Sequence, residues 1–172
     1  GDEHDRVARD TAFDRLVIEV DSNEFNAARR TGLPALAAFE AAGDRGMATV
    51  VGARLAMVDI VTGDPDAGLA AMARLADEAR QNRQEEAGVT AFRDTAVMAT
   101  RAMDYPRAAA ALDEGLAYAN SIQQSQCAHI MAALTAETAW AAGRWDEAIP
   151  FGEQAVVDRG CRRAPNMARW SL

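Results

Sequence analysis

Apolar residues recur along most of the chain at spacings of three and four, the period of an α-helix that buries one face. In residues 5–21, for example, Val7, Phe13, Leu16 and Val20 follow this spacing. The same criterion predicts further helices at 45–62, 65–81, 86–103, 105–120, 124–142 and 145–159, and a last segment from about residue 163. No sustained alternation of apolar and polar residues between turns is present, so no strand is predicted. The pattern predicts an all-α fold.

Two prolines disturb the helical pattern. Gly32-Leu33-Pro34 interrupts the helix expected over residues 24–42. Because proline has no N–H and its ring would clash with the carbonyl of Arg30, we expect a break or offset there, with a second helical piece over 34–42. Pro150 lies about one turn inside its helix, where we expect a kink rather than termination.

Turn-like segments recur at an interval of forty residues, at 63–66, 103–106 and 143–146, and residues 23–26 have the same character. Alignment at this period gives three columns of related residues. A bulky or ring-bearing column contains Phe25, Pro65, Tyr105 and Trp145, a small column contains Ala28, Gly68, Ala108 and Ala148, and a third contains Leu16, Ala56, Ala96 and Ala136.

The period is that of a helix pair, so the chain is predicted to be a single helical-repeat domain over residues 1–172. The predicted pairs lie at about 5–42, 45–82, 86–120 and 124–159, followed by part of a further helix, with polar links at 81–86, 120–125 and 160–165. Two helices approach closely only where side chains are small, so Ala136 and Ala148 are expected to meet across the turn at 142–144.

Composition and charge restrict the classes of function. The chain has 172 residues, is 49% hydrophobic and 6% aromatic, and contains about forty alanines, a composition typical of close-packed helices. All 18 basic residues are arginine, and 26 acidic residues give a net charge of −8, which argues against binding to a nucleic-acid backbone. No apolar run approaches the roughly 20 residues of a membrane span, and no signal peptide opens the chain. A cytoplasmic location is therefore expected.

The sequence Ala-Ala-Gly-Arg-Trp-Asp-Glu-Ala at 141–148 resembles the turn of the tetratricopeptide repeat. Residues 104–108 and 63–68 resemble it less closely. The usual period of that repeat is about 34 residues, so these units are about six residues longer. The early tryptophan of the repeat is replaced by Gly52, Phe92 and Ala132. The resemblance implies a right-handed superhelical array of antiparallel helix pairs, a TPR-like solenoid.

A narrower resemblance concerns the arginine without lysine, the alanine content and the segment from Trp140 to Arg163. These features are similar to the helical-repeat regions of large LuxR-type ATPase transcriptional regulators of bacteria. Such regulators place the repeats between a nucleotide-binding part and a DNA-binding part. The chain contains no G-x-x-x-x-G-K-[S/T] loop and no helix-turn-helix with a basic recognition helix. The resemblance therefore implies an excised or stand-alone repeat domain.

Candidate chemical groups do not form a recognisable catalytic or metal-binding set. Cys127 and His129 are two residues apart, so their side chains diverge on a helix, and no third ligand is evident. Cys161 follows a glycine and precedes Arg162 and Arg163, and is expected to be an exposed cysteine. We predict no enzyme activity, no catalytic residue, no metal site and no cofactor.

The first helix of each pair is expected to line a concave groove. The predicted groove residues are Phe13, Val17, Met57, Ile60, Arg93, Val97, Arg101, Glu137 and Trp140. Such a groove suits an amphipathic helix or an extended acidic peptide, because arginine pairs with carboxylates. The predicted partner is a protein, a peptide or a second copy of the chain, with neither direct nucleic-acid binding nor membrane binding.

Two alternatives remain open from the sequence. Some predicted groove residues, especially Met57 and Ile60, could instead pack against neighbouring helices. The chain could also sense a small-molecule effector held between helix pairs near Trp140 and Met57.

Overall fold

A computed structural model describes residues 2–157, which form eight α-helices and no strand. The helices are α1 (Asp2–Asp21), α2 (Phe25–Ala41), α3 (Arg45–Thr62), α4 (Pro65–Gln81), α5 (Glu85–Arg101), α6 (Tyr105–Ser121), α7 (Ser125–Ala141) and α8 (Trp145–Val157). The all-α prediction is confirmed. The helix predicted from about residue 163 and the link at 160–165 lie outside the described residues.

From α2 onwards a helix begins every twenty residues, so the forty-residue period consists of two equal halves. The links at 22–24, 42–44, 82–84, 102–104, 122–124 and 142–144 each have three residues, and only the link at 63–64 has two. Links within pairs and links between pairs are therefore equally short. The polar segments predicted at 81–86 and 120–125 are real links, but helix residues occupy their outer positions.

The three-residue links share one backbone geometry. Their middle residue has a left-handed conformation, with φ between 56° and 74°, at Asn23, Gly43, Arg83, Met103, Gln123 and Gly143. In the link at 42–44, the Gly43 N–H donates to the carbonyl of Glu40 and the Asp44 N–H donates to that of Phe39, both at 3.0 Å. These two bonds are those of a Schellman motif, which satisfies the last carbonyls of a helix. A left-handed residue thus follows α1, α2, α4, α5, α6 and α7 at the same register, whereas Gly63 after α3 has φ of −141°.

The predicted break at Gly32–Pro34 is wrong, because α2 runs without interruption from Phe25 to Ala41. Pro34 is exposed, whereas Ala28, Gly32, Ala35 and Phe39 form one buried stripe on both sides of it. Burial of this stripe requires helical backbone throughout, and it offsets the one hydrogen bond that proline removes. Helix α8 likewise continues through Pro150, so the expectation that this proline does not terminate the helix is confirmed.

The described residues fall into two compact units that divide after Ala91, inside α5. In the first unit, α1 packs on α2, α2 on α3 and α3 on α4, and α1 also touches α3. Its core contains Leu16, Ala28, Ala35, Phe39, Val51, Leu55 and Val58. In the second unit, α6 packs on α7 and α7 on α8. Each helix thus packs on the next one within its unit, as expected of helical hairpins.

The two helices of the α3–α4 pair are buried differently. The second helix α4 buries one stripe, whose members are Gly68, Leu69, Met72, Ala76 and Ala79. The first helix α3 buries residues around much of its circumference, because it packs on both α2 and α4. The predicted close approach of the small columns is confirmed in this pair, where a Cβ on Gly68 would lie 3.0 Å from the carbonyl oxygen of Ala56.

Candidate functional site

The four predicted groove residues of the first unit have different environments. Phe13 and Val17 on α1 are half-buried, and Phe13 packs against the core cluster. Met57 and Ile60 on α3 are each only 8% exposed. The Ile60 side chain lies against Gly68 of α4, so Ile60 packs between the two helices of its pair. Arg54 Nη1 lies 3.5 Å from the sulfur of Met57. Only Phe13 and Val17 therefore offer appreciable surface here.

The five predicted groove residues of the second unit are more accessible. Arg93, Val97 and Glu137 are half-buried, Arg101 is exposed, and Trp140 is 51% exposed. Arg101 lies in the last turn of α5 and Trp140 in the last turn of α7. In this part of the predicted groove, both apolar and charged side chains are therefore accessible to a partner.

A contact between α5 and α7 brings three of these residues to neighbouring turns. The hydroxyls of Thr100 and Thr138 are 2.9 Å apart, and Thr138 is 2% exposed. Arg101 directly follows Thr100, while Glu137 and Trp140 lie on either side of Thr138 along α7. We call Arg101, Glu137 and Trp140 together the Trp140 surface, a set defined by position along α5 and α7 and not by contacts among the three side chains.

Arg93 is not the free cation that its position in the sequence suggests. Its Nε and Nη2 donate to Oδ1 of Asp94 at 2.9 Å and 2.7 Å, and Asp94 is 7% exposed. A buried carboxylate loses much free energy unless it is paired, so this contact commits the Arg93 charge to Asp94. Arg101 forms no ion pair within residues 2–157, and it remains the accessible cation of the Trp140 surface.

Glu19 on α1 is a buried carboxylate that the sequence analysis missed. It is 5% exposed and accepts a hydrogen bond of 2.8 Å from Arg15 Nε. The Thr31 hydroxyl and the Arg15 guanidinium hold the pKa of Glu19 below its ordinary value, although burial acts in the opposite direction. The spacing of Arg15 and Glu19 by four residues was the available signal, since such pairs meet on a helix.

The groups considered for metal binding or redox chemistry are dispersed. No group of three or more histidine, cysteine or acidic side chains in the described part of the chain could hold a metal ion. Cys127 and His129 are half-buried, and His4 is exposed. Cys161 lies outside the described residues. Among residues 2–157, no helix combines the length and the apolar character needed to cross a membrane.

A cavity of about 410 Å³ in the first unit was not predicted. It lies over α3, with α2 on one side and α4 on the other. Its apolar lining includes Leu36, Leu55, Ala56 and Leu75, and its polar lining includes Glu40, Arg45, Thr49, Asp59, Arg74, Glu78, Asn82 and Gln84. Neither Met57 nor Trp140 lines it, so the cavity is not the one that the sequence suggested for an effector.

Comparison with models of known protein families and with curated proteins finds no match for this chain. Its function is therefore inferred from its own residues.

Proposed function

We propose that the chain is a non-catalytic protein-interaction domain of a bacterial transcriptional regulator and that it binds a protein segment on its first helices. In this proposal the helix pairs form a right-handed TPR-like array, which the sequence at 141–148 supports, and the domain acts in the cytoplasm. Stacked helix pairs present their first helices along an extended concave face. Recognition would occur on this preformed face.

The observation that most strongly supports the proposal is the Trp140 surface. Trp140 keeps 51% of its side chain exposed although a well-packed core lies beside it at Thr138. Tryptophan and arginine are the residues most enriched at energetic hot spots of protein interfaces. The hydroxyls of Thr100 and Thr138 are 2.9 Å apart, a contact that joins α5 to α7 beside these residues.

The charges of this surface favour a partner helix or peptide that has an apolar residue and a carboxylate. The indole of Trp140 would cover the apolar residue, and Arg101 would bind the carboxylate with two parallel N–H donors. Glu137 adds selectivity, because it repels a second acidic group placed near α7. Arg93 contributes less than the sequence suggested, since its guanidinium is already paired with Asp94.

Selection of random linear peptides on the immobilised chain, followed by fluorescence anisotropy with a selected peptide, tests the proposal. We expect Trp140→Ala and Arg101→Glu each to weaken binding roughly tenfold or more, because each removes a central contact. Both variants should leave the circular dichroism of the helices intact, because Trp140 and Arg101 are exposed.

Trp145→Ala is the matched control for Trp140→Ala, because Trp145 is also exposed, at 63%, but lies on the second helix α8. Arg74→Glu on α4 is the corresponding control for Arg101→Glu, since Arg74 is exposed and pairs with Glu78 of its own helix. Selected peptides whose affinity responds to the control variants and not to Trp140→Ala or Arg101→Glu would overturn the proposal.

The cavity over α3 favours a second candidate function, the sensing of a small-molecule effector. Its volume of about 410 Å³ lies within the range of about 300–1,000 Å³ typical of ligand pockets. A thermal-shift screen of metabolites tests this function. A metabolite that binds the folded chain should raise the midpoint temperature of unfolding in a concentration-dependent way. Gly52→Leu should push Leu75 into the cavity and remove the shift, since a Cβ on Gly52 would lie 3.3 Å from Leu75 Cδ1 and both residues line the cavity. A shift that persists in this variant would exclude the cavity as the site.

A further inference from the structure

The cavity over α3 has an apolar part to which three helices contribute. Leu55 and Ala56 of α3 line it and are 8% and 4% exposed. Leu36 of α2 and Leu75 of α4 also line it and are only half-buried. Gly52 of α3 adds no side chain to this lining. The cavity therefore offers apolar surface that the chain itself leaves partly uncovered.

The α5–α6 pair buries an aromatic ring at the register of Gly52. Phe92 lies forty residues after Gly52 and is 4% exposed. A Cβ on Gly115 would lie 2.8 Å from Cβ of Phe92, and the rings of Phe92 and Tyr118 have their centroids 6.2 Å apart. In the α3–α4 pair, Leu75 stands at the register of Gly115, and the first helix has no ring. This register of a helix pair thus accommodates an aromatic ring, and at the cavity a ligand can supply one.

Most of the charged side chains that line the cavity are already paired. Arg74 Nη1 donates to Glu78 Oε1 at 2.8 Å along α4. Asp59 of α3 pairs with Arg29 of α2. These groups carry little unbalanced charge into the cavity. Two charged lining residues remain, one acidic and one basic.

The two remaining charges are Glu40 and Arg45, which lie at one end of the cavity. Glu40 is the second-last residue of α2 and Arg45 is the first residue of α3, so only the short link at 42–44 and Ala41 separate them along the chain. Within the described residues neither side chain forms an ion pair. A carboxylate and a guanidinium at the same end suit a ligand that carries an ammonium and a carboxylate on neighbouring atoms. A free α-amino acid has these two groups.

Uncharged polar groups lie at the same end of the cavity. The Thr49 hydroxyl donates to Oε1 of Gln84 at 2.9 Å, and Thr49 is 7% exposed. Because Gln84 uses its oxygen in this contact, the two N–H groups of its side chain remain as donors. They add to Arg45 as donors for a ligand carboxylate.

We propose that the cavity over α3 binds a free α-amino acid with an aromatic side chain. The ring lies beside Gly52 and against Leu36 and Leu75, Arg45 binds the carboxylate and Glu40 binds the ammonium group. This assignment rests on the second candidate function, the sensing of a small-molecule effector, and it specifies the class of the effector. It does not depend on what the Trp140 surface binds, since no residue of that surface lines the cavity.

Isothermal titration calorimetry of the full chain with L-phenylalanine tests the proposal. Three compounds serve as comparisons: phenylacetate lacks the ammonium group, phenethylamine lacks the carboxylate, and glycine lacks the ring. We expect L-phenylalanine to bind roughly tenfold or more tightly than each of them, because each loses one of the three contacts.

Two variants assign the charged contacts. Arg45→Gln should weaken the binding of L-phenylalanine roughly tenfold and leave that of phenethylamine unchanged. Glu40→Gln should weaken it to a similar extent and leave the binding of phenylacetate unchanged. Both residues are exposed, so circular dichroism should show unchanged helicity. Arg83→Gln and Glu24→Gln are the matched controls, because both residues are exposed and neither lines the cavity.

Three outcomes would each overturn the proposal. They are an absence of binding of L-phenylalanine, an affinity that Arg45→Gln or Glu40→Gln leaves unchanged, and equally tight binding of any one of the three comparison compounds. If another metabolite then raised the midpoint temperature of the wild type but not of Gly52→Leu, the sensing function would stand and only the class of effector would be wrong. If no metabolite did so, the sensing function would fail as well.

Discussion

Ile60 Cγ1 lies 2.5 Å from the point at which a Cβ on Gly68 would stand, so the α3–α4 pair requires glycine at this position. The backbone of Ile60 and the carbonyl of Ala56 are each 3.0 Å from the same point, and backbone cannot move aside as a flexible side chain can. Within the small column, alanine is present at positions 28, 108 and 148, whereas position 68 has space only for glycine.

Gly68→Ala should destabilise the chain by about 1–3 kcal/mol, because the added methyl group forces α3 and α4 apart. Helix propensity alone predicts the opposite sign, since alanine is about 1 kcal/mol better than glycine inside a helix. Urea unfolding measures the difference. Gly46→Ala is the control, because the nearest atom to its Cβ would be Asp44 Oδ1 at 3.7 Å, and it should be neutral or slightly stabilising.

Met103→Gly should stabilise the chain by roughly 0.5–1 kcal/mol, because Met103 has φ of 61° and glycine adopts this conformation without strain. The side chain is 74% exposed, so little burial is lost. The reciprocal change Gly143→Met, at φ of 74° with no neighbour within 4 Å, should cost a similar amount. Equal stabilities of Met103→Gly and the wild type would show that the left-handed link is not strained.

Thr138→Val should cost about 1 kcal/mol, because it leaves the Thr100 hydroxyl without its partner. The double variant with Thr100→Val should cost less than the sum of the two single changes, and the coupling is read from a double-mutant cycle of unfolding free energies. Thr135→Val should have little effect, since Thr135 donates to the Met131 carbonyl of its own helix. If the losses of unfolding free energy in the two single variants added up to the loss in the double variant, the two hydroxyls would not be in direct contact.

Glu19→Gln should reduce the dependence of stability on pH in the acid range. The pKa of Glu19 is lowered in the folded chain, so its charged form stabilises the fold fully above the ordinary pKa of glutamate, about 4.3. This contribution is lost as the pH falls through the folded value. The free energy of unfolding of Glu19→Gln should therefore fall less steeply from pH 6 towards acid than that of the wild type.

Two further variants distinguish the cause of that effect. Thr31→Ala should weaken the pH dependence in the same direction, because the Thr31 hydroxyl is the largest cause of the lowered pKa. Glu3→Gln makes the same change in net charge at an exposed position of α1. If Glu3→Gln flattened the pH profile as much as Glu19→Gln, net charge rather than the local contacts of Glu19 would explain the result.

Much of the local structure was predictable from the sequence. Helices α3 and α4 have the predicted bounds, because Asp44 and Asp64 accept backbone N–H groups at their N-termini and Pro65 fits the first helical position. The break expected at Pro34 was wrong, since a local rule about proline competes with a buried stripe that extends over the whole of α2. The candidate surface was predictable only in part: the register placed Trp140 and Arg101 on first helices, but it could not show which residues stay exposed.

The sequence by itself determined where most of the helices begin and end, because caps, link residues and apolar spacing act over a few neighbouring residues; the continuity of α2 through Pro34 is the exception. The tertiary structure decided which side chains remain available for a partner. The Ile60 side chain packs against Gly68, and the Arg93 guanidinium pairs with Asp94. Trp140, two residues after Thr138 along α7, stays exposed. The contacts of Ile60 and Trp140 depend on how one helix packs on another, and the pairing of Arg93 depends on the burial of Asp94. The spacing of residues along a single helix determines neither the packing between helices nor the burial of Asp94.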